Sequence, residues 1–237
     1  MKNNNLTVQK RDISFLVEDS AELHQEKGYN FWSKKYSSWE NETFNFLDKF
    51  LSKEKDYLDI GSWVGPTVIY ASHLCQNAIA IEPDPVAYRI LNTNIALNNI
   101  SNIKTINKAV SIFENSFMSE SKFFGDSMTR ISSSPNNGTQ IESIGLDNLI
   151  DMGDFSLIKM DIEGSEFDVI PHYSSLLKEK KIPLYLSLHG PFFQDGQEKT
   201  STLIDSLSSA KEVYSENGDR IDIKEISNNF GSYFFRW

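Results

Sequence analysis

The stretch that decides the fold is YLDIGSWVGPT, residues 57–67, which is followed by AIAIEPDP at residues 78–85. Each stretch opens with a short, largely apolar run, as expected of a strand that is buried on both faces of a parallel sheet. The first run ends in a glycine turn at Gly61, and the second ends on Glu82, 21 residues further along the chain. In open α/β sheets, ligands bind at the carboxyl ends of the strands, where an acid at this distance accepts hydrogens from ribose hydroxyl groups. The two stretches therefore predict a site for a ribose-containing cofactor.

The rest of the chain repeats this alternation of strand and helix. Apolar runs at residues 103–106, 155–161 and 183–188 predict further buried strands, and SYFFRW at residues 232–237 predicts a final one. Helical patterns separate the runs, which is typical of βαβ units joined by right-handed crossovers. The sequence thus predicts an α/β fold with a mostly parallel sheet.

Local signals mark where several helices begin. Residues 40–52 carry apolar side chains at helical spacing. Pro66 stands at a first helical position, and Asp84 followed by Pro85 predicts an N-cap with proline at the next position. Leu203 lies in a later helical pattern.

Residues 111–145 depart from this rhythm. The segment is rich in serine, its phenylalanines are spaced as in hairpin strands, and its glycines and asparagines stand where turns belong. We interpret it as a β-hairpin insertion between the third and fourth strands. The predicted organisation is an N-terminal arm or cap at residues 1–38, and one domain at residues 39–237 that contains the insertion.

Composition and charge suggest where the protein works and with what. The 237 residues are 39% hydrophobic and 12% aromatic, as in a globular protein, and Cys75 is the only cysteine, which excludes a disulfide framework and a cysteine zinc site. No run has the character of a signal peptide or reaches about 18 apolar residues, so we expect a cytoplasmic protein. The net charge of −10 repels duplex nucleic acid and anionic membranes, so we expect neither as a partner and leave the oligomeric state open.

The glycine turn distinguishes two classes of cofactor. A dinucleotide fold has the spacing G-x-G-x-x-G and directs the free N–H groups of a helix start at a pyrophosphate. Here Gly61 and Gly65 are spaced G-x-x-x-G, and Pro66 removes a donor from the helix start. S-adenosylmethionine has ribose and adenine but no phosphate, and its sulfonium is cationic. The pattern therefore favours S-adenosylmethionine over a nicotinamide dinucleotide.

Six motifs, in order along residues 39–190, resemble those of the FkbM-type S-adenosylmethionine-dependent methyltransferases. They are WENETFNFL at 39–47, DIGSWVGPT at 59–67, AIEPDPVAYRILNTNIALN at 80–98, INKAVS at 106–111, LDNLI at 146–150 and IKMDIEGSE at 158–166. The resemblance implies a class I methyltransferase fold, which is a Rossmann-like three-layer sandwich with a mostly parallel seven-stranded sheet and an antiparallel final strand. It also implies methyl transfer to an oxygen, often on a sugar, glycan or related metabolite. We therefore predict that residues 39–237 form a methyltransferase domain, although the C-terminal 40 or so residues match none of the motifs.

The same resemblance implies a set of cofactor-binding residues. The methionine end of the cofactor, with its amino group, would contact Glu40, Gly61, Ser62 and Gly65. The ribose and adenine would contact Glu82, Asn107 and Ala109. The other predicted cofactor residues are Asp59, Trp63, Pro83, Asp84 and Asp161.

The motif IKMDIEGSE places charged side chains at the end of the fourth predicted strand. Side chains alternate along a strand, so Lys159 and Asp161 point to the same side, and Glu163 follows them. His189 ends the next strand and would face the same cleft. A hydroxyl acceptor has to lose a proton, and a histidine with a near-neutral pKa is suited to take it. We predict Asp161, Glu163, His189 and Lys159 as the catalytic residues, with His189 favoured as the base.

Other interpretations of these residues stay open. Asp161, Glu163 and His189 could bind a divalent cation, although we favour a site without a metal. Lys159 could simply neutralise Asp161. Glu166 stands at the start of a helix, where an acid is favourable for the helix dipole alone.

Other functions also stay open. An N-methyltransferase acting on a nucleobase usually has an N/D-P-P-Y-type motif where this chain has DIEG. A non-catalytic protein that binds an adenosyl cofactor would not need the acids of the fourth strand, and an NAD-dependent oxidoreductase is disfavoured by the glycine spacing. The acceptor is not specified by the sequence. We expect residues 111–145 and 190–199 to form its walls, with Phe192 and Phe193 either stacking on a sugar ring or filling the core.

Overall fold

The computed structural model describes residues 4–19, 31–114, 116–119, 130–133 and 138–237. The helices are α1 (Asn41–Phe50), α2 (Pro66–Ser72), α3 (Pro85–Leu97), α4 (Leu146–Ile150), α5 (Glu166–Lys180) and α6 (Gly196–Leu207). The strands are β1 (Asn4–Lys10), β2 (Ile13–Asp19), β3 (Asp56–Ile60), β4 (Ala78–Ile81), β5 (Ile103–Ile106), β6 (Ala109–Val110), β7 (Ser116–Ser119), β8 (Ile131–Ser132), β9 (Gly138–Ile141), β10 (Ser143–Ile144), β11 (Phe155–Met160), β12 (Leu184–His189), β13 (Glu212–Ser215) and β14 (Phe230–Arg236). None of the helices in these ranges combines the length and apolar character needed to span a bilayer.

Seven of the strands form the central sheet, in the order β13–β14–β12–β11–β3–β4–β5. Strand β14 is antiparallel to both of its neighbours, and the other adjacent pairs are parallel. This arrangement confirms the predicted class I methyltransferase fold, including its antiparallel final strand. The order reverses between β3 and β11, because the chain builds the sheet outward from β3 to β5 before it returns to β11. In open α/β sheets, ligands bind in the crevice at such a reversal.

Helices cover both faces of the sheet, which explains why the predicted strands lack an apolar–polar alternation. In β3, Tyr57 packs in one hydrophobic cluster, with side chains from α1 and α2, and Leu58 packs in the other, with side chains from α4 and α5. Cys75 lies in the first cluster just beyond α2, and burial raises the pKa of its thiol to about 11. A neutral, buried thiol of this kind belongs to the core rather than to the chemistry.

The predicted helix starts are found where the local signals placed them. Pro66 is the first residue of α2, which begins after Gly65. The Asp84 carboxylate accepts hydrogen bonds from the N–H groups of Val86 and Ala87 at 2.7 and 3.0 Å, as an N-cap of α3 should.

The insertion differs from the single hairpin that the sequence suggested. Its described residues form three short antiparallel strands in the order β8–β7–β9, and β6 and β10 pair in parallel at its base. Residues 115, 120–129 and 134–137 of the insertion lie outside the described residues. The boundaries at residues 111 and 145 stay a prediction.

The N-terminal residues form a hairpin of β1 and β2 that packs along α3. Asn98, the C-cap residue of α3, exchanges two hydrogen bonds with the backbone of Leu16, at 2.8 and 2.7 Å, and Asn94 on α3 accepts one from the N–H group of Glu18 at 2.7 Å. Val17 of the hairpin is fully buried in the same cluster as Tyr57. The division between an arm and the domain near residue 38 stays a prediction.

Candidate active site

A cavity of about 380 Å³ opens at the carboxyl ends of β3, β4, β11 and β12, where the strand order reverses. The predicted site residues that line it are Glu40, Gly61, Ser62, Trp63, Glu82, Pro83, Ala109, Lys159, Asp161, Glu163 and His189. The predicted residues that do not line it are Asp59, Gly65, Asp84 and Asn107. Most of the predicted set therefore converges on one cavity.

Three of the four non-lining residues support the site from behind. Asp59 is fully buried, and its carboxylate accepts a hydrogen bond from Thr67 Oγ1 at 2.6 Å. Asp84 caps α3, as described above. The Asn107 side chain donates to the backbone carbonyl of Glu82 at 2.8 Å, which fixes the chain just beyond β4.

The two glycines of the turn are required by packing. Gly61 has a positive φ of 80°, and a side chain there would collide with the backbone carbonyl of Asp161 on the adjacent chain segment. Gly65 has a φ of 95°, and a Cβ atom would lie 2.8 Å from Leu91 Cδ1 and 3.0 Å from Ile69 Cδ1. The glycine spacing therefore reflects the close approach of β11 and α3 to the turn.

Glu82 is held with its carboxylate at the cavity wall. Its Oε2 accepts a hydrogen bond from the N–H of Trp63, and its Oε1 accepts one from the N–H of Asp84, both at 2.8 Å. The residue is only 6% exposed. Burial raises the pKa of Glu82 to about 8, although the two backbone donors oppose the shift. The carboxyl group is thus fixed in position, and it is mostly protonated at pH 7.

This raised pKa predicts that binding of an adenosyl ligand depends on pH. Glu82 has to be ionised to accept both ribose hydroxyl hydrogens, and its ionised fraction grows as the pH rises through about 8. Affinity for 5′-methylthioadenosine, which has the ribose but no amino-acid end, should therefore rise about tenfold from pH 7 to pH 9. Isothermal titration at several pH values measures this affinity. Glu82→Gln should bind weakly at every pH, and a constant affinity in the unmodified chain would contradict the assignment.

Lys159 lies at the floor of the cavity between two carboxylates. It is 3% exposed, and its Nζ is 3.8 Å from Asp59 Oδ1 and 3.5 Å from Asp161 Oδ2. Burial alone would lower the pKa of Lys159, but the charges of Asp161, Asp59 and Glu40 outweigh it and raise the pKa well above its usual value. Lys159 therefore stays protonated and acts as a countercharge for the acids rather than as a proton acceptor.

Glu40 enters the cavity from the N-cap position of α1. Its backbone is left-handed, with φ 42° and ψ 47°, and its Oε2 lies 3.1 Å from Thr43 Oγ1. Burial and the charge of Asp161 raise the pKa of Glu40 to about 7, while Lys159 opposes the shift. A cationic group bound beside Glu40 and Asp161 would relieve this repulsion, as the amino group or sulfonium of S-adenosylmethionine can.

His189 lies among three carboxylates. Its Nε2 is 3.5 Å from both Asp161 Oδ1 and Glu163 Oε2, and its Nδ1 is 3.0 Å from Glu166 Oε1. Burial lowers the pKa of His189, but the hydrogen bond to Glu166 and the three negative charges outweigh burial and raise the pKa to about 9. The near-neutral pKa expected for this base is therefore wrong for the free protein. Glu163 has a pKa raised to about 7, chiefly by burial and against the opposing effect of His189.

The residue that sequence reasoning missed is Glu166. It is fully buried at the start of α5, and its Oε1 accepts hydrogen bonds from both the backbone N–H of His189, at 2.8 Å, and the imidazole. Its Oε2 accepts one from the N–H of Gly164 at 2.7 Å. Glu166 therefore orients His189. The sequence suggested only that an acid at this position suits the helix dipole, which gives no sign of this role. The one signal in the sequence is that Glu166 closes the motif IKMDIEGSE.

The same cluster has suitable donors for a divalent cation. One ligand atom each from Asp161, Glu163 and His189 lies within 4.8 Å of the others, and oxygen and imidazole donors suit several divalent metals. Glu166 occupies the second imidazole nitrogen, as an outer carboxylate does around many metal-bound histidines. A proton on His189 balances the same negative charges, so the geometry accommodates either a divalent cation or a protonated imidazole.

Aromatic side chains adjoin the cluster on the side that faces the insertion. Phe230 lines the cavity and is 58% exposed. Phe192 stacks on the His189 imidazole, with ring centres 5.5 Å apart. The guanidinium of Arg130 lies over the Phe192 ring, with its Cζ atom 3.7 Å from the ring centre. Phe193 instead packs edge-on against Phe167. Among the described residues, the exposed ring at the cavity is thus Phe230, which lies two residues before the predicted final strand at residues 232–237 and was not among the predicted site residues.

Comparison with known proteins identifies the family. The family described as "Methyltransferase FkbM domain" matches residues 59–220. No curated protein matches the chain at a significant level.

Three solved structures share the fold. Methyltransferase FkbM from Methylobacillus flagellatus KT is 17% identical with a TM-score of 0.50, over 78% of this chain and 44% of that one, so this chain spans less than half of that protein. A Streptococcus mutans protein assigned as a methyltransferase, solved with S-adenosylhomocysteine, is 10% identical with a TM-score of 0.50, over 82% and 96% of the two chains. The T. thermophilus 16S rRNA N2 G1207 methyltransferase, in complex with S-adenosylmethionine and guanosine, is 9% identical with a TM-score of 0.52, over 98% and 50%. At these identities the likeness shows the fold alone.

The rRNA methyltransferase corrects one expectation. We expected no nucleic acid partner because of the net charge of −10, but a protein of the same fold is an rRNA methyltransferase. The exclusion is wrong because the total charge of a chain does not report the local charge around one cavity.

The family match covers more than half of the chain, and the motifs, the sheet order and the cavity agree with it. The chain belongs to the FkbM family of S-adenosylmethionine-dependent methyltransferases.

Proposed function

We propose that the chain transfers a methyl group from S-adenosylmethionine to a hydroxyl group of a sugar, glycan or related small metabolite. The observation that carries the proposal is the meeting of Asp161, Glu163 and His189 in the same cavity that Glu82 faces. A hydroxyl acceptor has to give up its proton during methylation, and a cluster of carboxylates and an imidazole can receive it.

The residues around the cavity fit the two ends of the cofactor. Glu82 would accept hydrogens from the ribose hydroxyls, and Glu40 with Asp161 would hold the cationic amino group of the amino-acid end. Pro66 leaves one fewer N–H donor at the start of α2, which does not matter for a ligand without phosphate.

The chain's own residues would align the reactants and take the proton. When bound, S-adenosylmethionine supplies a methyl group whose bond to sulfur breaks as the acceptor oxygen bonds to its carbon, leaving S-adenosylhomocysteine. Such alignment can lower a barrier by about 7–11 kcal/mol. The hydroxyl proton would pass to the cluster of Asp161, Glu163 and His189. Glu166 would keep the imidazole turned toward Asp161 and Glu163 throughout.

The exposed ring of Phe230 supports an acceptor with a flat or ring-shaped face. It lies 6.2 Å, centre to centre, from the His189 imidazole, which places any ring stacked on it beside the proton-accepting cluster. Aromatic rings bind sugar and base faces alike. The motif DIEG at residues 161–164, in place of an N/D-P-P-Y-type motif, favours an oxygen over a nucleobase nitrogen as the acceptor atom.

The first test is ligand choice. S-adenosylhomocysteine should bind at micromolar strength in isothermal titration, and NAD should neither bind comparably nor compete. Methyl transfer should then be screened against a panel of sugars, glycosides and glycans, with structured RNA and free nucleosides as a second panel. Methylation of a sugar hydroxyl is the expected result. Tight NAD binding without S-adenosylhomocysteine binding, or transfer confined to RNA, would contradict the proposal.

A further inference from the structure

We propose that Lys10, on the N-terminal hairpin, is a positioning residue for the cofactor site and acts through the turn that presents Glu40. The inference rests on the proposed function, because it takes Glu40 as a contact of the cofactor's amino group. It assigns a task to a part of the chain that precedes the first family motif.

The Lys10 ammonium is surrounded by acceptors from a single turn. Its Nζ lies 2.6 Å from the carbonyl oxygen of Trp39, 3.2 Å from that of Tyr36 and 3.4 Å from that of Ser37. It also lies 2.8 Å from Asn41 Oδ1. Three ammonium hydrogens thus face four oxygens, so one side chain from β1 contacts four of the six residues at 36–41.

The ammonium is removed from water, which makes these bonds obligatory. Lys10 is 1% exposed, and its Nζ lies 4.2 Å from the centre of the Phe44 ring. Burial lowers the pKa of Lys10 to about 8, so the side chain is still mostly protonated at pH 7. A buried charge is costly unless it is fully hydrogen-bonded, and the turn has to keep this shape to satisfy it.

The turn in question carries Glu40 in a conformation that needs support. Glu40 is left-handed at φ 42°, which is unfavourable for a residue with a side chain. Lys10 bonds Trp39 on one side of Glu40 and Asn41 on the other. Because both Trp39 and Glu40 line the cavity, the hairpin sets the wall at the amino-acid end of the proposed cofactor site.

The experiment compares two ligands at pH 7. Lys10→Met keeps the length of the side chain and removes its donors, so S-adenosylhomocysteine should bind about tenfold more weakly. 5′-Methylthioadenosine has no amino-acid end, so its affinity should be unchanged. The double variant Lys10→Met/Glu40→Gln should bind S-adenosylhomocysteine no more weakly than Glu40→Gln alone, because both changes remove the same contact.

Val8→Ala is the matched control for hairpin stability. Val8 is buried on the same strand and contributes to the core, so this variant should lower the melting temperature without changing either affinity. If Lys10→Met does not fold, Asn41→Ala removes one of the four acceptors and should give a smaller loss confined to S-adenosylhomocysteine. Equal losses for both ligands, or additive losses in the double variant, would overturn the inference. An unmodified chain that binds 5′-methylthioadenosine but not S-adenosylhomocysteine would overturn the proposed function as well.

Discussion

Replacing Glu82 by alanine should weaken the binding of S-adenosylhomocysteine by about 10²–10⁴-fold. Two hydrogen bonds from ribose hydroxyls to a buried carboxylate are worth about 1.5–3 kcal/mol each, and the variant loses both. The variant should lose the contribution of both hydrogen bonds, because Glu82 is 6% exposed and water cannot easily take the place of the carboxylate. Isothermal titration of the variant and the unmodified chain at pH 8.5, where Glu82 is mostly ionised, gives the ratio.

The control for this variant has to account for stability. Glu82 also accepts hydrogen bonds from the N–H groups of Trp63 and Asp84. Glu82→Ala leaves these two backbone donors without their acceptor, so it should lower the melting temperature too. Asp84→Ala is the matched variant, because it removes the cap of α3, at a cost of about 0.5–2 kcal/mol, outside the cavity lining. Asp84→Ala should therefore be destabilised with near-normal affinity. Near-normal affinity in Glu82→Ala would show that the carboxylate only closes the turn.

Much of the fold could be predicted because its signals are local. A buried parallel strand needs a short run without alternation, and β3 (Asp56–Ile60) covers the run that starts at Tyr57 and ends before the turn at Gly61. Asp84 and Pro66 mark helix starts through effects that reach only a few neighbouring residues. The starts of α2 and α3 could therefore be predicted from the local sequence. The insertion was harder to predict, since hairpin spacing does not determine how many short strands pair or in which order.

The electrostatics of the site could not be predicted in the same way. Glu166 and His189 are 23 residues apart, and they meet only because β11 and β12 are neighbours in the sheet. The pKa of His189 depends on three carboxylates that the fold gathers around one buried ring. Lys10 and the turn at Glu40 are likewise joined by tertiary packing, so no pattern along the chain reveals their contact.

Replacing His189 by alanine should lower turnover about 10²–10⁴-fold and leave the affinity for S-adenosylhomocysteine nearly unchanged. The imidazole would receive the acceptor's proton and has to be neutral to do so. Its pKa of about 9 in the free protein means that the neutral fraction grows as the pH rises, so the rate of the unmodified enzyme should increase from pH 7 to pH 9. The measurement is the pH profile of kcat with a hydroxyl acceptor from the panel, at saturating S-adenosylmethionine.

Glu166→Gln separates proton transfer by His189 from a structural role of the same ring. Glutamine keeps the shape and an acceptor oxygen for Nδ1 but removes the negative charge that contributes most to raising the imidazole pKa. The rise of kcat should therefore move to lower pH in this variant, whereas a merely structural His189 would lose rate without such a shift.

A chelator should have no effect on either enzyme if the proton goes to His189. If chelator instead abolishes turnover and magnesium restores it, Asp161, Glu163 and His189 hold a cation. If turnover survives both His189→Ala and the chelator, the proton leaves through Glu163, whose pKa of about 7 already suits it to the task.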